Sequence, residues 1–439
     1  MIISETDELV QFPEGEVPEI EHRCYRAVKW RLLPFLMLCY TLAYLDRVNV
    51  GFAKLQMLGQ LAFSETAYGI GAGLFFVGYI LCGVPSNLLL HRVGARRWIA
   101  GIMVVWGGLS SLTALVTSPL QFWILRFLLG VAEAGFYPGV ILYLTRWFPR
   151  ARRAGMTSLF QAAIPLAGLF GGPLSGWILD HLDGAARRQG WQWLFLIEAL
   201  PAAVVGLVAF YYLEDDIASA KWLSAAQKRL LAHNLDRELP LISLSSPGRA
   251  LADRRVWGLG VLVFGLSAGL YSISFWMPTM LKGRGELSST QIGWLSAIPN
   301  LAPLLAMYLF AQSSDRHAER RWHVASASLL GAAGLAGSVW CGGNVVLALM
   351  FLSVASAGIL SALPLQWSLL SGWVGGSAAA AAIALVNSIG NLGGVISPVL
   401  IGWLKDTTSS LDAGMYAMAA FAVLSAVIAL TIPARLANR

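Results

Sequence analysis

Charge is scarce in this chain: Asp, Glu, Lys and Arg make up 13% of its 439 residues, against 57% hydrophobic residues and a mean hydropathy of +0.64. That balance excludes an ordinary soluble domain, which spends about a quarter of its residues on charge. Cysteine is nearly absent. Cys24, Cys39, Cys82 and Cys341 show no paired or metal-like spacing, which argues against a disulfide framework or a metal site, and a thiol in an apolar helix behaves as a small hydrophobe. The first residues, MIISETDELVQFPEGEVPEIEHR, are acidic and lack a basic region ahead of an apolar stretch. They do not read as a cleaved signal peptide but as a disordered cytosolic tail. There is no His/Cys/Glu cluster with metal-ligand spacing, no nucleophile elbow and no soluble catalytic domain, so an enzyme is not expected, and neither is a cofactor or a metal.

What the chain has instead is long apolar runs. A hydrocarbon core of about 30 Å needs roughly 20 apolar residues per helix, and twelve runs qualify: 31–53, 66–90, 97–117, 119–146, 153–180, 191–213, 255–281, 289–313, 322–342, 345–371, 376–404 and 412–434. The expected class is an all-α polytopic membrane protein. The net charge of +7 raises the question of nucleic acid, but its distribution answers it. With the N-terminus placed inside, 23 of the 31 Lys and Arg fall in cytosolic segments and six, including Lys54, in outer loops. This is a topology signal with both termini cytosolic, not a nucleic-acid surface.

The polar stretch after Glu214 divides six runs from six. It contains KWLSAAQKRLLAHNL, a candidate surface helix. The expected domains are a tail over 1–30, a six-helix bundle over 31–213, a linker over 214–254, a second bundle over 255–434 and a tail over 435–439. A repeat joins the halves. HRVGARRW at 91–98 matches DRHAERRW at 315–322, an offset of 224, and GGPLSGWILD ending at Asp180 matches GGVISPVLIGWLKD ending at Asp406, an offset of 226. Two matches at nearly one offset mark a duplicated unit. Duplicated bundles commonly hold a substrate site near the midplane and alternate its access by rocking.

Four ionisable residues interrupt the first and fourth runs: Asp46 and Arg47, then Arg126 and Glu133. Each would cost at least about 2.5 kcal/mol facing lipid, so they are expected to face a bundle interior or cavity. Arg126 and Glu133, seven residues apart, share a helix face; Asp46 and Arg47 diverge by about 100°. Asp46 is expected to meet an arginine. Two carboxylates beside two arginines suggest a proton site coupled to an anion site, although the same charges would also serve to hold the two helices together. Glu198 is placed near the outer interface or bonded to backbone, with a coupling role ranked behind these. The second half carries no ionisable group well inside a run and can supply only neutral contacts. Its candidates are Tyr271, Trp276, Asn300, Gln366, Trp367, Ser371, Trp373, Asn387, Ser388 and Asn391, with Asn387 and Asn391 one turn apart among small residues.

The twelve-run layout and the two HR-x3-RR and DR-x3-RR loops resemble the major facilitator superfamily. YLDRVNVGFA, PSNLLLHRVGARRWIAGIM, RFLLGVAEAGFYPG and GWQWLFLIEALP are similar to segments of its anion:cation symporter family. The resemblance implies two pseudo-symmetric six-helix bundles and uptake of an organic carboxylate with protons, in a monomer of the bacterial inner membrane. It further implies Asp46 and Glu133 as proton-coupling residues, Arg47 and Arg126 as substrate contacts, and Tyr44 and Tyr79 beside them. Gln161, Trp373, Asn387 and Asn391 complete the substrate set. The loop charges Arg92, Arg96, Arg97, Asp315, Arg316, Arg320 and Arg321 are the expected gate, with His91 standing where the superfamily loop normally begins with an acid. YLDRVNVGFAKLQM is similar to tartrate-type permeases and LCGVPSNLLLHRVGARRWIAGIM to 4-hydroxyphenylacetate-type permeases. GGPLSG partly resembles an exchanger motif, which keeps exchange open beside symport.

Overall fold

A computed structural model describes residues 17–236, 247–371 and 376–434, and every regular element in them is helical. Helix is what an apolar run must form in lipid, because no water is present to satisfy backbone N–H and C=O groups. The twelve spans are α1 (Val17–Val48, continued as Val50–Leu61), α2 (Glu65–Val93), α3 (Ala95–Leu112), α4 (Pro119–Glu133, then Phe136–Thr145), α5 (Arg150–Gln161, then Ala163–His181) and α6 (Gly190–Tyr212) in the first half. In the second half are α7 (Arg254–Lys282), α8 (Ser289–His317), α9 (Arg321–Gly337), α10 (Val345–Ser371), α11 (Gly376–Thr408) and α12 (Asp412–Thr431). Eleven described helices are long and apolar enough to cross a membrane; α9, at 17 residues, is slightly shorter. Large apolar side chains such as Leu81, Val208, Trp294 and Leu305 point outward, as lipid requires.

Two sequence expectations are corrected at α1. Its helix starts at Val17, so residues 17–30 are not a disordered tail, and it runs on to Leu61. Lys54 is therefore no outer-loop residue: it is buried, ion-paired with Glu65 and 3.4 Å from the Trp276 ring centre. A cation this deep is tolerated because a carboxylate and an aromatic face replace its water. In the linker, the candidate surface segment contains the helix Ala225–Asp236.

Packing puts α2 against α11 and α5 against α8, one helix from each half, while α7 touches the second section of α1. The repeat is visible here as chemistry. At the end of α5, Asp180 accepts from the backbone N–H groups of Ser289 and Thr290 (3.2 and 2.7 Å), which open α8. At the end of α11, Asp406 accepts from those of Glu65 and Thr66 (3.2 and 2.8 Å), which open α2. Each carboxylate caps the orphan donors and positive dipole end of a helix in the other half. Glu65 also contacts Lys405 of α11. The halves are thus fastened on the face opposite the chain ends.

Close backbone approach makes that fastening possible. A Cβ on Gly293 would lie 2.3 Å from the Gly172 carbonyl oxygen, and one on Gly172 would lie 2.8 Å from that of Gly293. Gly293→Val is accordingly expected to prise α5 from α8 and favour the arrangement open at this face. In a background with the four cysteines replaced, a cysteine at Asn300 should become markedly more reactive to an impermeant thiol reagent from that side. Unchanged reactivity would mean that this crossing does not control access.

Candidate functional site

The site grows from the crossing of α2 and α4. Ser118 caps α4 by accepting from Gln121 N–H (3.4 Å), Pro119 occupies its first turn, and the helix then buries Phe122, Arg126, Leu129, Gly130 and Glu133 along one stripe. Gly130 is where α2 presses closest: a Cβ there would sit 1.8 Å from the Phe75 carbonyl oxygen. That approach brings the Phe75 ring beside both guanidinium groups, with Arg47 and Arg126 each 5.1 Å from its centre. Tyr79 and Tyr44 also flank Arg47, at 5.5 and 5.8 Å. Aromatic faces stabilise a cation without neutralising it.

The two arginines differ in their partners. Arg47 is ion-paired with Glu133, and its Nη1 donates across the halves to the Tyr271 hydroxyl at 3.3 Å. Arg126 is 1% exposed, yet Nε, Nη1 and Nη2 all lack a protein acceptor. A buried guanidinium in this condition is costly, and an anion with two acceptor oxygens is one group that would relieve it.

Asp46 does not meet an arginine as expected. Its Oδ1 accepts from Ser110 Oγ at 2.7 Å and Asn49 Nδ2 at 3.3 Å. The step of about 100° between adjacent helical residues turns Asp46 toward α3 while Arg47 turns toward α4. Glu198 is likewise neither interfacial nor backbone-bonded: it is 1% exposed and accepts from Ser175 Oγ at 2.6 Å.

Between the halves lies a cavity lined by Tyr44, Asn49, Ser175, Ser274, Ser296 and Asn300 among apolar side chains. Tyr44, whose hydroxyl has no partner, faces this cavity and Arg47 at once. Of the other expected contacts, Gln161 donates to Tyr137 OH (2.7 Å) at the break in α5, and Asn391 donates to the Asn387 carbonyl (2.9 Å) one turn away. Gln366 is buried, Trp276 belongs to the Lys54 cluster, and Trp373 lies outside the described residues, as does the side chain of Ser371. Phe75 was missed, although its four-residue spacing from Tyr79 places both on one helix face.

Four of the expected gating charges, Arg96, Asp315, Arg320 and Arg321, have described contacts within their own halves. Arg96 N–H donates to Asp215 Oδ1 (3.2 Å), Arg320 pairs with Asp315 (3.0 Å), and Arg321 donates to the Ile432 carbonyl (3.0 Å). Arg92, Arg97 and Arg316 are exposed.

A fold of two linked helical halves around a central cavity has known counterparts. The family profile described as Major Facilitator Superfamily matches residues 36–287 and 285–438. The chain belongs to that superfamily. At 47% identity over 417 residues, covering 94% of this chain and 95% of the relative, it is similar to "Putative metabolite transport protein NicT" of Pseudomonas putida. It is also 47% identical over 416 residues to "Putative tartrate transporter" of Agrobacterium vitis, covering 94% of this chain and 92% of that one. Among solved structures, the inward-open xylose transporter XylE from E. coli superposes with a TM-score of 0.73 at 15% identity, over 92% of this chain and 96% of that one, a likeness of fold. This superfamily member is a multi-pass membrane transporter of small organic substrates and not an enzyme.

Proposed function

We propose that this transporter belongs to the anion:cation symporters and imports an organic carboxylate, such as tartrate or another hydroxy or sugar acid, together with protons by alternating access. It does so across the bacterial inner membrane, as a monomer with both termini in the cytosol. The observation that carries this reading is the asymmetry of the arginines: Arg126 is buried with all three nitrogens unpartnered, while Arg47 is held by Glu133. Arg126 grips the substrate carboxylate as a two-pronged donor. Protonation of Glu133 removes the charge that holds Arg47 and frees it as a second donor. Each proton taken by Asp46 or Glu133 adds one positive charge to the site, so proton loading and anion loading favour each other. Release of both on the cytosolic side resets the pair, and the loop charges Arg92, Arg96, Arg97, Asp315, Arg316, Arg320 and Arg321 close that side in the alternate state. The relative named for tartrate supports the substrate class.

A second reading keeps the same machinery with an aromatic carboxylate such as 4-hydroxyphenylacetate. The cluster of Phe75, Tyr79 and Tyr44 around the arginines favours it. The test is tracer uptake by proteoliposomes under an imposed inward proton gradient, with tartrate and 4-hydroxyphenylacetate in parallel. Accumulation of tartrate above equilibrium, abolished by a protonophore, is the expected result. Accumulation of the aromatic acid alone would transfer the assignment to the second reading. Equilibration of either acid without accumulation would make the protein an exchanger or facilitator.

A further inference from the structure

Among the described residues, six charged side chains are buried: Asp46, Arg47, Lys54, Arg126, Glu133 and Glu198. Of their three carboxylates, only Glu133 touches a cation. Asp46 and Glu198 make no ion pair and form a second cluster, built on α1, α3, α5 and α6. Ser110 and Asn49 donate to Asp46 Oδ1, and Ser175 donates to the first carboxylate oxygen of Glu198. The Asn49 side chain also approaches Glu198 as a hydrogen-bonding neighbour while the charge of Asp46 acts on it, and the charges of Arg126 and Glu133 of α4 act on Asp46. Asp46 Oδ2, Glu198 Oε2 and Asn49 Oδ1 are buried with no donor at all.

The cluster is therefore short of hydrogen-bond donors, and a proton is the smallest thing that supplies one. A protonated carboxyl gains an O–H while keeping acceptor capacity, and Asn49 offers its amide oxygen to receive that O–H. Both carboxylates ionised together would leave two like charges, neither in contact with a cation, in a low-dielectric interior. Each carboxylate also has a route to the central cavity, because Asn49 and Ser175 are in the cavity lining. We propose that Glu198 is a further proton-carrying site, coupled to Asp46 through Asn49 and reached from the cavity through the Ser175 hydroxyl. The carboxylate of Glu198 takes up one proton to become a neutral carboxyl and returns it when the cavity changes sides. Asp46 and Glu198 then titrate as a pair rather than as independent groups.

This inference rests on the proton-symport reading and is tested so that the two can fail separately. In proteoliposomes, the pH gradient that just balances a set substrate gradient gives the number of protons per substrate. Glu198→Gln, which keeps the Ser175 hydrogen bond but cannot ionise, is expected to lower that number by one. The same number and the same pH profile in wild type and variant would make Glu198 a fixed, neutral structural group and overturn the proposal. Infrared difference spectra of the purified protein across pH provide a readout that needs no transport. A carboxyl C=O band that titrates in wild type should vanish in Glu198→Gln and shift in Ser175→Ala, the second variant guarding against misfolding of the first. A spectrum without such a band overturns the proposal even where transport is proton-coupled. Wild-type protein that moves substrate without protons defeats the symport reading, and the infrared band alone then decides the protonation of Glu198.

Discussion

Replacing Arg126 with Ala should depress carboxylate uptake by about 30-fold or more in kcat/KM. Truncating one partner of a buried, hydrogen-bonded charge pair costs about 2–5 kcal/mol, and each 1.4 kcal/mol is about tenfold. Among the described residues Arg126 has no hydrogen-bond or ion-pair partner: its removal breaks no salt bridge there, so the loss should appear in substrate binding and not in folding yield. Arg126→Lys keeps the charge but loses the planar fork, and should recover little. Initial rates of tracer uptake, alongside the melting temperature of the purified variants, decide it. Near-normal uptake by Arg126→Ala would remove Arg126 from the binding site.

The second large effect is uncoupling. Glu133→Gln should retain counterflow exchange yet lose accumulation, so that an inward gradient of one pH unit no longer drives the roughly tenfold concentration ratio that each coupled proton allows. The direction with pH follows from the ion pair. At higher pH an ionised Glu133 holds Arg47 and opposes substrate; as pH falls, protonation frees Arg47 and apparent affinity rises. Glu133→Gln fixes the freed state, so affinity should be high and keep only the weaker pH dependence that Asp46 contributes. Asp46→Asn should also uncouple, but raise affinity less than Glu133→Gln does, because Asp46 holds Ser110 and Asn49 and no arginine. A pH dependence of affinity as large in Glu133→Gln as in wild type would show that another group governs Arg47.

The apolar runs and the repeat carried the architecture plainly, since backbone in lipid has few alternatives to helix. Even the offset between Asp180 and Asp406 became a pair of reciprocal helix caps. Arg126, Glu133 and Arg47 were legible for the same reason that charge stands out in an apolar run. Their partners were not. Helical phase separates Asp46 from Arg47, but which neighbouring helix each meets depends on packing set by contacts such as Gly130 against Phe75. Lys54 read as a loop residue because the apolar run fades near it. Its shelter comes from Glu65 and Trp276, distant in sequence, and that information lies outside any local window. Glu198 looked peripheral for the same reason, with Ser175 and Asn49 supplying its surroundings from two other helices.

The most direct test of the central claim is substrate-driven proton movement in proteoliposomes containing a trapped pH dye, with no imposed pH gradient and protein-free vesicles as control. Adding tartrate outside should acidify the interior at a rate that follows tracer entry, and Glu133→Gln should abolish the acidification while leaving exchange intact. Tracer entry at the wild-type rate with no change in internal pH would contradict coupled transport and leave the Arg47–Glu133 pair a structural link between α1 and α4.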